Sequence, residues 1–124
     1  MIVEYNPLHS GHLYLLAQTR RLLGPDTAIV CAMSGNFVQR GDFALLRKHQ
    51  RARAAVESGA DLVLELPLPW AVSSAETFAR GAVGLLAAAQ VAAVGYGLYA
   101  GCSVYLRDKV VPAPARQPAP LPAF

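Results

Sequence analysis

Two histidines, His9 and His12, stand three apart in the segment Glu4-Tyr5-Asn6-Pro7-Leu8-His9-Ser10-Gly11-His12. Pro7 stiffens a turn, and a helical pattern begins just after it. A helix start offers N–H groups without intrahelical partners and the positive end of the helix dipole, so it favours an anion. Gly11 lets the backbone come close to a ligand. Two imidazoles at such a start can both face that anion, and a phosphate chain is the natural guest. They can donate hydrogen bonds to oxygens that gain charge when an α-phosphate is attacked. His9 and His12 are therefore the candidate catalytic pair. The plainer alternative is that both are helix caps or polar surface residues. Zinc fits less well, because no cysteine or carboxylate stands at ligand spacing and Glu4 belongs to the preceding strand. No metal ligands are assigned.

These residues need elements to hold them. Met1 to Tyr5 is a short β-type run. The spacing of Leu13, Leu16, Ala17 and Leu23 predicts a helix from Ser10 to Leu23, with Ser10 as its cap and Gly24-Pro25 as its stop. Ala28 to Met33 is a continuous apolar run suited to a strand covered on both faces, ended by Ser34-Gly35-Asn36. A second helix is expected from Leu45 to Ser58, closed by Gly59, and a second buried strand from Asp61 to Leu66, broken by Pro67 and Pro69. Ser73-Ser74-Ala75-Glu76 has a capping-box pattern. The helix it opens carries Ala75, Phe78, Ala79, Ala82, Leu85, Leu86 and Ala89 at spacings of three and four. Val91 to Tyr96 reads as a further strand. Alternation of strands and helices predicts an α/β fold, a parallel sheet with right-handed βαβ crossovers. In such sheets ligands bind beyond the carboxyl ends of the strands, where every loop named here lies.

Composition bounds the rest. A chain of 124 residues suits one domain, and 54% apolar with 15% charged residues excludes a disordered chain. A net charge of +3 does not by itself mark a nucleic-acid binder. Cys31 and Cys102 make no disulfide framework; Cys31 lies in an apolar run and reads as a core residue. That usage fits a reducing, cytoplasmic compartment. No secretory signal is expected, because the chain reaches an acid and a proline early, and the apolar stretch Gly81 to Gly97 is short for a membrane span. Pro112, Pro114, Pro118, Pro120 and Pro122 crowd the C-terminal end. Residues 98–124 are read as a divergent Pro/Ala-rich tail, extended and mobile from about residue 100 onward, and 1–97 as the folded domain.

Five of the eleven positive charges are Arg40, Arg47, Lys48, Arg51 and Arg53. Arg40, Lys48 and Arg51 are weak candidates for contacting phosphate or RNA; the alternative is a solvated helix face. Ser34-Gly35-Asn36 either lines the nucleotide site, holds a small acid, or is a plain turn. Asp61 reads as a cap or turn residue, Trp70 as packing rather than a base-stacking platform, and His49 as a surface residue.

Several longer stretches are more specific than the histidine pair. They are Ile2 to Tyr14, Met33-Ser34-Gly35-Asn36-Phe37-Val38-Gln39-Arg40-Gly41, Asp61-Leu62-Val63-Leu64-Glu65-Leu66-Pro67, and Ser74-Ala75-Glu76-Thr77-Phe78-Ala79-Arg80-Gly81-Ala82. In order and spacing, across residues 2 to 97, they resemble the tRNA(Met) cytidine acetate ligase family, within the nucleotidyltransferase superfamily that carries His-x-Gly-His. The resemblance implies an incomplete, Rossmann-like nucleotidyltransferase domain. It implies activation of acetate with ATP to acetyl-adenylate, then transfer of the acetyl group to N4 of the wobble cytidine of elongator tRNA(Met). A magnesium ion would shield the leaving pyrophosphate. The family's ATP-binding stretch falls on Ile2, Val3, Glu4, Tyr5, Asn6, Pro7, Leu8, His9, Ser10, Gly11, His12, Leu13, Tyr14 and Leu15, with a further ATP contact at Gly97.

Agreement stops there. The Ser-Glu that follows the glycine in the family is Leu98-Tyr99 here, and nothing beyond matches. Family proteins are several times longer and supply a late phosphate loop and a tRNA-binding domain. The reading is of a truncated, poorly active product with a shifted frame after Gly97, the proline–alanine tail being what an unselected frame gives. Two alternatives stay open: a general adenylyltransferase acting on a small phosphate ester, against which Asn6 argues because those relatives carry Asp there, and a non-catalytic ATP-binding remnant. The residues set no oligomeric state.

Overall fold

The computed structural model describes residues 1–90 and, beyond them, the backbone of the strands at 93–98, 101–106 and 109–111. The elements are β1 (Ile2–Val3), α1 (Ser10–Leu23), β2 (Val30–Ser34), a short 3-10 turn (Gln39–Gly41), α2 (Lys48–Glu57), β3 (Leu62–Leu66), α3 (Leu68–Ala71), α4 (Ala75–Ala88), β4 (Ala93–Leu98), β5 (Gly101–Leu106) and β6 (Lys109–Val111). The first three strands form a parallel sheet in the order β1-β2-β3. The fold class is thus α/β with parallel strands joined through helices, as the alternation of elements predicts.

Side-chain alternation along β2 explains the two layers. Cys31 and Met33 point into one core with Val3, Tyr5, Leu15, Leu16 and Ala55, under α1 and α2. Ala32 points the other way, into a second core with Leu66, Ala71, Phe78, Ala82 and Leu86, under α3 and α4. β2 is buried on both faces as its unbroken apolar run predicts, whereas Leu62 on the edge strand β3 is 47% exposed. Cys31 is a fully buried core residue, as expected, with its sulfur 3.6 Å from the Tyr5 hydroxyl.

Four expectations change. β3, expected as a second buried strand, is a half-exposed edge strand with only Leu66 buried. The cap of α1 is His9, one residue before Ser10. Pro67 and Pro69 do end β3, but Pro69 lies in the first turn of the short helix α3, where a missing N–H costs nothing. Finally, β4 does not join the parallel sheet by hydrogen bonds. It pairs antiparallel with β5, which pairs antiparallel with β6. Only two residues separate Leu98 from Gly101, a spacing that closes a hairpin, while a parallel neighbour needs a crossover of a dozen or so residues. β5 and β6 fall where the sequence reading expects an extended tail. Val91 of the expected fourth strand and the proline-rich residues 112–124 lie outside the described residues. Among the described residues no helix is long and apolar enough to cross a membrane.

Candidate functional site

The histidine segment sits where β1 leaves the sheet and α1 begins. His9 has extended backbone and closes the helix start: the Gly11 N–H donates to His9 Nδ1 at 3.1 Å. The His9 N–H in turn donates to His12 Nδ1 at 3.2 Å. The two rings lie face to face at 3.8 Å between centroids and 30° between planes. The edge of the buried Tyr5 ring supports His12 at 4.9 Å. Because both Nδ1 atoms accept, each neutral imidazole carries its hydrogen on Nε2. Two Nε2–H donors are therefore left at the helix start, free of the two Nδ1 contacts.

Burial lowers the pKa of His12 below its ordinary 6.5, and the neighbouring His9 lowers it further. At neutral pH His12 is thus an uncharged donor whose tautomer is set by the backbone. The Gly11 N–H, one of the helix-start amides, is engaged by His9. Gly11 is needed for a reason the sequence does not reveal. A Cβ there would sit 3.0 Å from His9 Cε1, against the ring itself.

The other residues of the stretch divide into core and latch. Ile2, Val3, Leu8, Leu13 and Leu15 pack into the two cores, and Tyr5 is fully buried with its hydroxyl pKa raised by burial. Pro7, joined to Asn6 by a cis peptide bond, and Ser10 are exposed, as is Tyr14 at 47%. Glu4 and Asn6 hold the loop after β2: Gln39 N–H donates to Glu4 Oε1 at 2.8 Å and Leu45 N–H to Asn6 Oδ1 at 2.7 Å. Asn36 does the same for the start of α2, accepting from Lys48 N–H at 2.9 Å. Gly97 lies in β4, opposite Cys102 in the β4–β5 ladder.

The basic cluster does not form one patch. Arg40 is exposed, with φ 66°. Lys48 Nζ pairs with Glu65 at 2.7 Å, and Arg53 with Glu57 at 2.7 Å. Arg51 is 1% exposed, and its guanidinium donates to the carbonyls of Glu4, Ser34, Gly35 and Leu46. It thereby clamps the exits of β1 and β2 to the start of α2, and burial lowers its pKa. The signal for this was present: Arg51 stands four before Ala55, on the small-residue face of α2 that packs inward. Asp61 takes the structural role expected of it, accepting from Ile29 N–H at 2.6 Å and Arg20 at 2.9 Å. Trp70 packs as expected, its indole lying over Gly81 of α4.

One strand over from the histidines, at the carboxyl ends of β2 and β3, is an open cleft of about 200 Å³. Its wall includes Gly35 and Asn36 of that turn, together with Phe37, Glu65 and an apolar floor of Leu66, Leu68 and Ala71. Sequence reasoning did not assign Phe37 or Glu65 to a site. Among the described residues no three His, Cys, Asp or Glu side chains gather as metal ligands.

The model of the HIGH Nucleotidyl Transferase family matches residues 1–107. The chain belongs to the HIGH nucleotidyl transferase family. As a member of it, the chain is similar to the tRNA(Met) cytidine acetate ligase of Acetivibrio thermocellus, 55% identical over 86 residues, which are 69% of this chain and 20% of that protein. It is similar to the ligase of the same name from Latilactobacillus sakei, 54% identical over 97 residues, 78% of this chain and 25% of the relative. The chain also resembles the crystal structure of Thermotoga maritima TmcAL bound with alpha-thio ATP, at 50% identity and a TM-score of 0.67, over 70% of this chain and 21% of that one. The chain thus spans a fifth to a quarter of the length of these relatives.

Proposed function

We propose that this chain carries the nucleotide-activating site of an ATP-dependent tRNA(Met) cytidine acetate ligase. The carboxylate of acetate attacks the α-phosphorus of ATP, the bond to the bridging oxygen breaks, and pyrophosphate leaves, giving acetyl-adenylate. The acetyl group then passes to N4 of the wobble cytidine of elongator tRNA(Met), with AMP released. The reaction is of the positioning and electrostatic kind, in which donors aimed at developing charge carry much of the acceleration. The observation that carries this reading is the stacked pair of His9 and His12, each with its Nδ1 occupied by a backbone N–H and its Nε2–H left to donate. Imidazole N–H donors at a helix start suit an oxygen that gains negative charge. A magnesium ion would arrive with the triphosphate and shield the leaving pyrophosphate. The chain's place of action is the cytoplasm.

The test is to incubate the chain with ATP and labelled acetate and trap the product with hydroxylamine. The reading predicts acetohydroxamate and an equal amount of pyrophosphate, both lost in His12→Ala. A stable AMP adduct of a phosphate ester, formed without acetate, would instead establish the general adenylyltransferase.

A further inference from the structure

The cleft beside the histidines has a polar edge whose hydrogen-bonding pattern is already fixed. Glu65 is half-exposed, and Lys48 Nζ holds both its oxygens, at 3.0 and 2.7 Å. The ion pair keeps the carboxylate aimed, while a carboxylate retains lone pairs for a further donor. The carboxylate lies directly over Gly35: a Cβ there would be 2.5 Å from Glu65 Oε1. The position therefore requires glycine for the carboxylate to occupy this wall. Next to it, Asn36 lines the cleft with its Oδ1 committed to the Lys48 N–H, which leaves its Nδ2 as the group able to donate to a ligand. An acceptor and a donor thus stand side by side. Phe37, supported by Phe43 at 4.9 Å between centroids, gives an aromatic face, and Leu66, Leu68 and Ala71 give an apolar floor.

We propose that this cleft is a nucleobase subsite that receives an unpaired cytosine, with Glu65 accepting from the exocyclic amine and Asn36 donating to the adjacent ring nitrogen. This rests on the proposed function, which it deepens by placing the acceptor base. The volume, about 200 Å³, is below the roughly 300 Å³ at which sites begin to enclose drug-sized ligands, so it suits a single ring rather than a whole nucleotide. Cytosine presents a donor (the amine) beside an acceptor (the ring nitrogen), which complements the wall. Uracil presents the reverse and would set carbonyl against carboxylate. A base taken out of its stack is read in this way, by its pairing edge and by contact with apolar and aromatic side chains. The location is also right. β1 and β2 are neighbours, about 4.8 Å apart, so the cleft opens beside the helix start that would hold the adenylate.

Trp70 makes the test simple, because it is the single tryptophan and lies in α3 between two residues of the cleft floor, Leu68 and Ala71. The full chain, labelled with nitrogen-15, is titrated with cytidine, uridine and adenosine, none of which carries a phosphate for the histidines. The indole N–H resonance reports the cleft. Cytidine should move it at least tenfold more tightly than uridine, and Glu65→Gln, at a half-exposed site that leaves the fold intact, should remove about a tenfold preference. Equal binding of cytidine and uridine, tighter binding of adenosine, no movement with any nucleoside, or an unchanged preference in Glu65→Gln would each overturn the proposal. ATP is titrated in parallel. Intact, His12-dependent ATP binding with no cytidine effect sinks the subsite alone. Cytidine selectivity without His12-dependent ATP binding leaves the subsite standing and sinks the nucleotide-activating site.

Discussion

Replacing Arg51 with methionine should destabilise the protein far more than loss of a basic residue on a solvated helix would. The methionine keeps most of the stem, so packing changes little, but four carbonyls lose their donor: Glu4, Ser34, Gly35 and Leu46. Those of Ser34 and Gly35 are bonded in buried surroundings and cannot turn to water. An orphaned buried acceptor costs about 1–3 kcal/mol, so these two alone account for roughly 2–6 kcal/mol. Removing a buried charge returns part of its desolvation cost, which brings the net to about 3 kcal/mol. Against a total stability of about 5–15 kcal/mol for an ordinary domain, that is a large fraction. Urea unfolding followed by circular dichroism measures it. Arg51→Lys, which keeps the charge but not the fork, should fall between the two. A loss of under about 1 kcal/mol in Arg51→Met, the size typical of an ordinary substitution, would refute the clamp.

The other predictions concern the histidine pair and the α3–α4 contact. Gly11→Ala should weaken ATP binding about tenfold in calorimetry, because its Cβ would meet the His9 ring at 3.0 Å and turn away one charge-assisted donor of about 1.5 kcal/mol or more. Gly81→Ala would place a Cβ 2.5 Å from Trp70 Cγ; overpacking should cost about 1–3 kcal/mol and expel the indole, shifting its emission to the red. His12 has a folded pKa below its ordinary 6.5, so its contribution to stability is complete above that pH and is lost as the pH falls through the depressed value. The thermal midpoint should therefore drop between about pH 7 and pH 5 by more than in His12→Asn, and equal slopes would contradict the burial of the ring.

Much of this was legible in the sequence because it is local. The apolar run at Cys31, Ala32 and Met33, the stripe of Phe78, Ala82 and Leu86, and the glycine after the second helix each follow from the period of one element. The His-x-Gly-His spacing likewise pointed to a helix start. The features that were not legible depend on partners distant in the chain. Arg51 shares its helix face with Ala55, a hint of burial, but its partners are set only when β1 and β2 bring their carbonyls to it. Glu65 is only an alternating polar residue of a strand until the fold sets its carboxylate over Gly35. The choice of His9 over Ser10 as cap turns on an imidazole folding back 3.1 Å from the Gly11 N–H, a geometry that composition does not specify. The strand at Ala93–Leu98 was legible as a strand, but its pairing with β5 depends on residues downstream of it rather than on its own apolar pattern.

The most direct test of the whole account is the affinity for ATP, measured by calorimetry, of the chain with both histidines replaced by alanine. Circular dichroism of the same sample verifies the fold. Two charge-assisted hydrogen bonds of about 1.5–3 kcal/mol each should be lost, which lowers the affinity by about a hundredfold or more. A folded double variant that binds ATP as tightly as the parent would contradict the account.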